Sequence, residues 1–276
     1  TPSNSSAASD VYKRQVVMNL HRCLSCQSLH GQGTSSSLFV LQYIVMVQKI
    51  VKVCGIKSEE AANTAILSGA SLLGTILVPN RARTVEADTA RRISKLCYEK
   101  RVEKKSRFVS SKDLLQHART LEATGPQWFE EVCETITENG PYLVGVFRNQ
   151  PLEDVIRISD ELGVDVVQLH GSEDGDAFVA ALELPVIPRF VLSKPGIENA
   201  LSTHKFLLPL FDSEQGGEGK LVDWRDAARF GGDLNGRYIL AGGLTPENVG
   251  AALAVGGCYG VDVSAVSYTH LTLPTN

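Results

Sequence analysis

A repeating alternation constrains this chain more than any other feature of its sequence. From Ile50 onward, short runs of β-branched and aliphatic residues recur, and helix-like stretches separate them. The runs are IVKVC (50–54), LLGTILV (72–78), YLVGVF (142–147), DVVQL (165–169), PVIPRFV (185–191), FLLPLF (206–211), RYIL (237–240) and YGVDV (259–263). Between them lie helix starts such as Ser58-Glu-Glu and Thr245-Pro-Glu, where Ser58 or Thr245 serves as N-cap and a glutamate falls in the first turn. Buried apolar strands that alternate with helices make a parallel sheet. Eight such units predict an α/β fold of the (β/α)8 TIM-barrel type, with a doubly wound open sheet as the alternative.

One interval breaks the spacing. Between the second and third runs the chain is long and rich in charge from Glu99 to Lys112. Helices are expected over 112–122 and 127–139, as an insertion at about 99–140 that lies outside the barrel and carries no chemistry.

The 276 residues carry a formal net charge of −4, which argues against a nucleic-acid partner held by a basic face. No apolar run approaches the roughly 18 residues needed to cross a bilayer, so a soluble protein with no membrane partner is expected. The cysteines at 23, 26, 54, 97, 133 and 258 are scattered, as in a cytoplasmic protein with free thiols. Cys23 and Cys26, with His21 and His30, look like half of a zinc site; one CxxC without a partner does not make one, and no metal is expected.

Both ends stand apart. SSAASDVYKRQ (5–15) and VSYTHLTLPT (266–275) can be encoded by one DNA element read in opposite orientations. The reverse complement of a coding sequence for the first, entered two bases in, translates as Val266 to Thr275 without a mismatch. Residues 1–15 and 265–276 are therefore expected to be adaptor-derived tails, outside fold reasoning. Residues 16–45 are expected to be upstream or disordered sequence, which leaves 46–264 as the barrel.

In a barrel, reactive groups come from the C-terminal ends of the strands and the loops after them. Those positions here are Cys54, the segment 79–85, Arg148, His170, Asp212, Gly242-Gly243 and Ser264. The surrounding motifs are VKVCGI, VPNRARTV, YLVGVFRNQP, VVQLHG, PLFDSEQGGEGKLVDW, LAGGLTPENV and GVDVS. In this order they resemble the phosphoribosylanthranilate isomerases, in particular the single-function form of ascomycete yeasts. The resemblance implies an Amadori rearrangement in tryptophan biosynthesis. The ribose of N-(5-phosphoribosyl)anthranilate opens and 1-(2-carboxyphenylamino)-1-deoxyribulose 5-phosphate results. An acid must protonate the ring oxygen and a base must take the C2 proton; no cofactor is required.

Residue by residue, the resemblance makes Asp212 the general acid, with a proton affinity raised by burial. The structural alternative for Asp212, a strand-end carboxylate or a helix N-cap, is the lesser reading even without the resemblance. Cys54 matches the general base, and Lys52, two residues earlier on the same strand face, is expected to favour its thiolate. Asp262, on the last strand, would meet Lys52 across the interior or contact the substrate amine. Arg83 aligns with the arginine that holds the anthranilate carboxylate, and Arg81 is its rival. Gly242 and Gly243, before a helix start at Thr245, would cradle the phosphate together with backbone after Ser264. His170 lines the pocket or is structural. The run 216–220 (GGEGK) lacks phosphate-loop spacing and reads as a lid over the sugar. After Ser264 the family's continuation is replaced, so the last helix is expected to be lacking. Two rival functions remain: another phosphate-binding barrel isomerase or synthase, and a catalytically inert barrel scaffold. The first relies on paired aspartates where this chain has Cys54, and the second does not account for Cys54, Arg83 and Asp212 occurring together.

Overall fold

The computed structural model describes residues 49–213 and 222–264. The strands β1 (Ile50–Cys54), β2 (Leu72–Ile76), β3 (Tyr142–Phe147), β4 (Val166–Leu169), β5 (Val186–Phe190), β6 (Leu210–Phe211), β7 (Tyr238–Leu240) and β8 (Cys258–Ser264) pair in sequence order as one closed parallel barrel. This settles the topology against an open sheet. Closure occurs between β1 and β8, where Lys52 pairs with Asp262 and Cys54 with Ser264. The helices are α1 (Glu59–Leu67), α2 (Ala87–Glu103), α3 (Ser111–Thr120), α4 (Gly125–Asn139), α5 (Leu152–Leu162), α6 (Gly175–Ala181), α7 (Trp224–Asp233) and α8 (Val249–Leu253). None of these is long and apolar enough to cross a membrane.

Alternation along each strand sorts the side chains. On β1, Val51 and Val53 face outward and pack against Ala61, Ala62 and Ala65 of α1. Ile50, Lys52 and Cys54 occupy the opposite phase. Ser58 caps α1 as expected, its hydroxyl accepting from Ala61 N at 3.1 Å.

The long interval resolves into two parts. Helix α2 runs to Glu103 and packs beside α1, α5 and β3 as an ordinary member of the outer ring. The extra chain therefore begins after α2. Leu114 and Ala118 of α3, with Trp128, Phe129, Val132 and Ile136 of α4, join one apolar cluster with Ile50, Leu72 and Tyr142, the first residues of their strands. The insertion thus closes the N-terminal mouth of the barrel. It is pinned by Arg101, whose guanidinium is bidentate to Asp165 at 2.8 Å and also donates to Pro141 O and Val109 O. Asp165 in turn accepts from Leu143 N at 2.8 Å.

Two local expectations are corrected. The apolar run 206–211 yields a strand of only Leu210–Phe211, because Pro209 has no N–H to give the ladder, although Phe206, Leu207 and Leu208 are buried as expected. The helix expected to start at Thr245 begins at Val249. The Thr245 carbonyl accepts from Asn248 N at 3.2 Å and Val249 N at 3.0 Å, but the side-chain contacts come from Asn248, its Oδ1 accepting from Thr245 N at 2.7 Å and its Nδ2 donating to Gly243 O at 3.0 Å. The expectations for both tails, for the stretch 16–45, for the CxxC, for the lid at 216–220 and for a missing last helix fall on residues outside those described.

Candidate active site

The C-terminal mouth of the barrel opens into a cavity of about 340 Å³. Its lining includes Cys54, Arg81, Arg83, Arg148, His170, Asp212, Gly242, Gly243, Asp262 and Ser264. All the residues singled out from the sequence for binding or catalysis therefore converge on one space.

At its floor, Lys52 is fully buried and its ammonium pairs with Asp262 Oδ2 at 2.8 Å. The expected meeting across the β1–β8 seam is present. Burial works against the charge of Lys52, but Asp262 and the Cys54 sulfur outweigh it, and its pKa lies above the ordinary lysine range. Lys52 also hydrogen-bonds Cys54. The β2 residue opposite Cys54 is Gly74, where a Cβ would stand 2.7 Å from Sγ and 3.0 Å from Lys52 Nζ. A side chain there would displace both groups.

Cys54 departs from expectation. Lys52, and more weakly Arg83, do favour the thiolate, but burial outweighs them and Asp262 adds to it, so the pKa is raised. The resting group is a thiol. Asp212 is 5% exposed and follows the expected direction: burial raises its pKa against the Ser213 N–H and Arg189. Its Oδ1 accepts from Ser213 N at 2.7 Å. Its Oδ2 faces His170 Nε2 at 3.5 Å and Arg189 Nε at 3.8 Å.

His170 is held neutral. Burial, with Arg189, Lys52, Arg148 and Arg83 around it, pushes its pKa down to about 3. Its approach to Asp212 is therefore that of an imidazole, not of an ion pair. Arg83 touches the Ser264 hydroxyl and packs over Gly55, whose φ of +76° and lack of a Cβ admit the guanidinium. Arg81 is exposed at the rim. Gly242 and Gly243 adopt φ of 82° and 62°, a backbone that few other residues tolerate, and Asn248 ties down the loop they form.

Sequence reasoning missed three contributors. Gln168 lies two residues before His170 on β4, so period-2 alternation places it on the same inward face. Arg189 is the one charged residue of the fifth apolar run and sits beside the presumptive acid. Asn248 was hidden by the mistaken helix start. Among the described residues no cluster of His, Cys, Asp or Glu could hold a metal ion.

Comparison with known proteins agrees with this arrangement. The sequence model of the family N-(5'-phosphoribosyl)anthranilate (PRA) isomerase matches residues 94–266. The N-(5'-phosphoribosyl)anthranilate isomerase of Wickerhamomyces anomalus is 43% identical over 215 residues, spanning 78% of this chain and 90% of its own. That of Candida albicans is 48% identical over 205 residues, or 73% of this chain and 83% of its own. The solved phosphoribosyl anthranilate isomerase of Thermus thermophilus aligns over 80% of this chain and 90% of its own, with a TM-score of 0.57 at 28% identity. By fold, by the residues gathered at the barrel mouth and by these likenesses, the chain belongs to the N-(5'-phosphoribosyl)anthranilate isomerase family.

Proposed function

We infer that this chain isomerises N-(5-phosphoribosyl)anthranilate to 1-(2-carboxyphenylamino)-1-deoxyribulose 5-phosphate, a step of tryptophan biosynthesis. The observation that carries this reading is the placement of Asp212 and Cys54 in one cavity, with a raised carboxyl on one strand end and a lysine-backed thiol on another. Asp212 gives its proton to the ribose ring oxygen, the C1–O bond breaks, and the amine lone pair forms a C1=N iminium. Cys54, whose resting proton has passed to Asp212 to make the active acid–thiolate pair, then takes the C2 proton as thiolate; the C–H electron pair becomes the C1=C2 bond and the iminium π pair returns to nitrogen. The resulting enolamine becomes the ketone by moving a proton from the C2 hydroxyl to C1. Return of the proton from Cys54 to Asp212 resets the site.

The raised pKa of Cys54 suits this order. That raised pKa makes the thiolate a stronger base once formed, while the iminium, a new cation of the same sign as Lys52 and Arg83, favours the thiolate form and acidifies the C2–H, so proton removal follows the acid step. Arg83 presents a planar fork to the anthranilate carboxylate. Gly242, Gly243 and backbone near Ser264 receive the phosphate, with close approach allowed by the glycines. Asp262, beyond its pair with Lys52, offers a second oxygen toward the substrate amine. The buried cysteines at 54, 97, 133 and 258 fit a cytoplasmic enzyme. Complementation tests the reading: the chain restores growth without tryptophan to cells lacking this isomerase, and Asp212→Asn and Cys54→Ser do not. No growth with wild-type protein present in soluble form overturns it.

A further inference from the structure

Gln168 stands in the layer of β4 just below the reacting groups. It is 1% exposed, and its strand register sets it between Val146 of β3 and Ile187 of β5. A primary amide among such neighbours must be explained by what it holds. One end is accounted for: Nε2 lies 3.2 Å from Nδ1 of His170. The other end is not. Its Oε1 is buried without a hydrogen-bond partner among the described residues, and the side chain borders the cavity.

The two ends together define a role. An amide N–H aimed at Nδ1 requires a lone pair there, so the neutral ring carries its proton on Nε2 and turns it toward Asp212 Oδ2, 3.5 Å away. That orientation suits an acid at the moment it becomes a carboxylate, when its oxygen needs a donor. Rotating the amide by half a turn would leave its two N–H groups without an acceptor and turn the Nε2 lone pair toward the oxygen that must ionise. The unpartnered Oε1 meanwhile accepts only. Within the proposed substrate, the carboxylate and phosphate are acceptors; the donors are the amine N–H, which the reading above gives to Asp262, and the pentose hydroxyls, which are left for Gln168.

We propose that Gln168 is a substrate-binding and positioning residue: its Nε2 fixes the His170 tautomer that supports Asp212, and its Oε1 accepts a hydrogen bond from a pentose hydroxyl. The second half rests on the function inferred above; the first does not. The test uses the whole chain labelled with 15N-histidine. The His170 resonances, identified by their loss in His170→Gln, show Nε2 protonated and Nδ1 bare at neutral pH, a result that needs no turnover and no variant at position 168. In Gln168→Met, which keeps length and loses both polar atoms, Nδ1 gains protonation. A reduced, unreactive analogue of the ketose product binds Gln168→Met about five- to tenfold more weakly, the scale of one neutral hydrogen bond. Analogues lacking single pentose hydroxyls include one that loses affinity for the wild type and none further for Gln168→Met. A wild-type His170 protonated on Nδ1 overturns the proposal, whether or not the chain is an isomerase. So does a set of deoxy analogues that weaken both proteins equally.

Discussion

Replacing Lys52 with methionine separates two roles that the structure assigns to one ammonium. The substitution conserves length and removes the charge, leaving the Asp262 carboxylate, 7% exposed, with no ion-pair partner among the described residues. Breaking a buried pair from one side costs about 3–5 kcal/mol, because an uncompensated charge stays behind. For a domain of this size that lowers the melting temperature by about 6–20 °C. The same change strips Cys54 of its nearest cation. A unit charge about 4 Å away is worth about 4 kcal/mol at an effective dielectric near 20, so kcat falls by about a hundredfold or more. Lys52→Met/Asp262→Asn tells these apart. It removes both charges, and most of the lost stability returns, while kcat stays low because only the weaker influence of Arg83 still favours the thiolate. Thermal or denaturant unfolding, together with steady-state kinetics on enzymatically generated substrate, measures both quantities for all three proteins. Recovery of kcat alongside stability in the double variant would refute the electrostatic role of Lys52. A loss below about 1 kcal/mol in the single variant would refute the buried pair.

Asp212→Asn and Cys54→Ser each lower kcat by about a hundredfold or more with little change in KM, as loss of a general acid or base requires; near-wild-type kcat in either removes that residue from the mechanism. Arg83→Ala weakens binding of a carboxylate-bearing product analogue by about 1.5–3 kcal/mol and Arg81→Ala by less than half of that, read by titration; the reverse order would exchange their roles. His170 titrates near 6.5 when unfolded and at about 3 when folded, so the unfolded chain binds more protons in between and stability drops as pH falls through 6.5. From pH 7 to pH 5 this amounts to about 1–2 kcal/mol, measured by denaturant unfolding, and His170→Gln flattens that part of the slope; an unchanged slope contradicts the neutral buried imidazole.

The barrel was legible because its signal is repeated and non-local. β1 matches its run residue for residue, and the Lys52–Asp262 contact follows from alternation plus closure alone. The misreadings are local. Apolar character extends through Phe206–Leu208, but only backbone pairing makes a strand, and Pro209 interrupts it. Thr245-Pro-Glu has the composition of a helix start, yet the Asn248 side chain bonds backward to Thr245 N and Gly243 O and holds a turn in its place. The direction of the Cys54 shift was hidden for another reason. The neighbouring cation can be read from spacing, whereas the depth of burial that outweighs it depends on how seven other strands surround the sulfur. Gln168 was overlooked although it lies within VVQLHG, because one amide in an apolar strand has no chemistry of its own; its meaning lies in the ring nitrogen two residues on.

The closed lower mouth has a consequence for the upper one. Lys52 has no exposure at all, and the layer beneath it, Ile50 and Leu72, belongs to the same packed cluster as Trp128 and Ile136 of the inserted helix α4. The insertion, which carries no reactive group, thus acts as electrical insulation. It keeps water from entering from below and damping the field that Lys52 exerts on Cys54, which in bulk solvent would shrink several-fold. Loosening α4 far from the substrate would act on the chemistry as a leak acts on a capacitor, with the charges still in place and less potential between them.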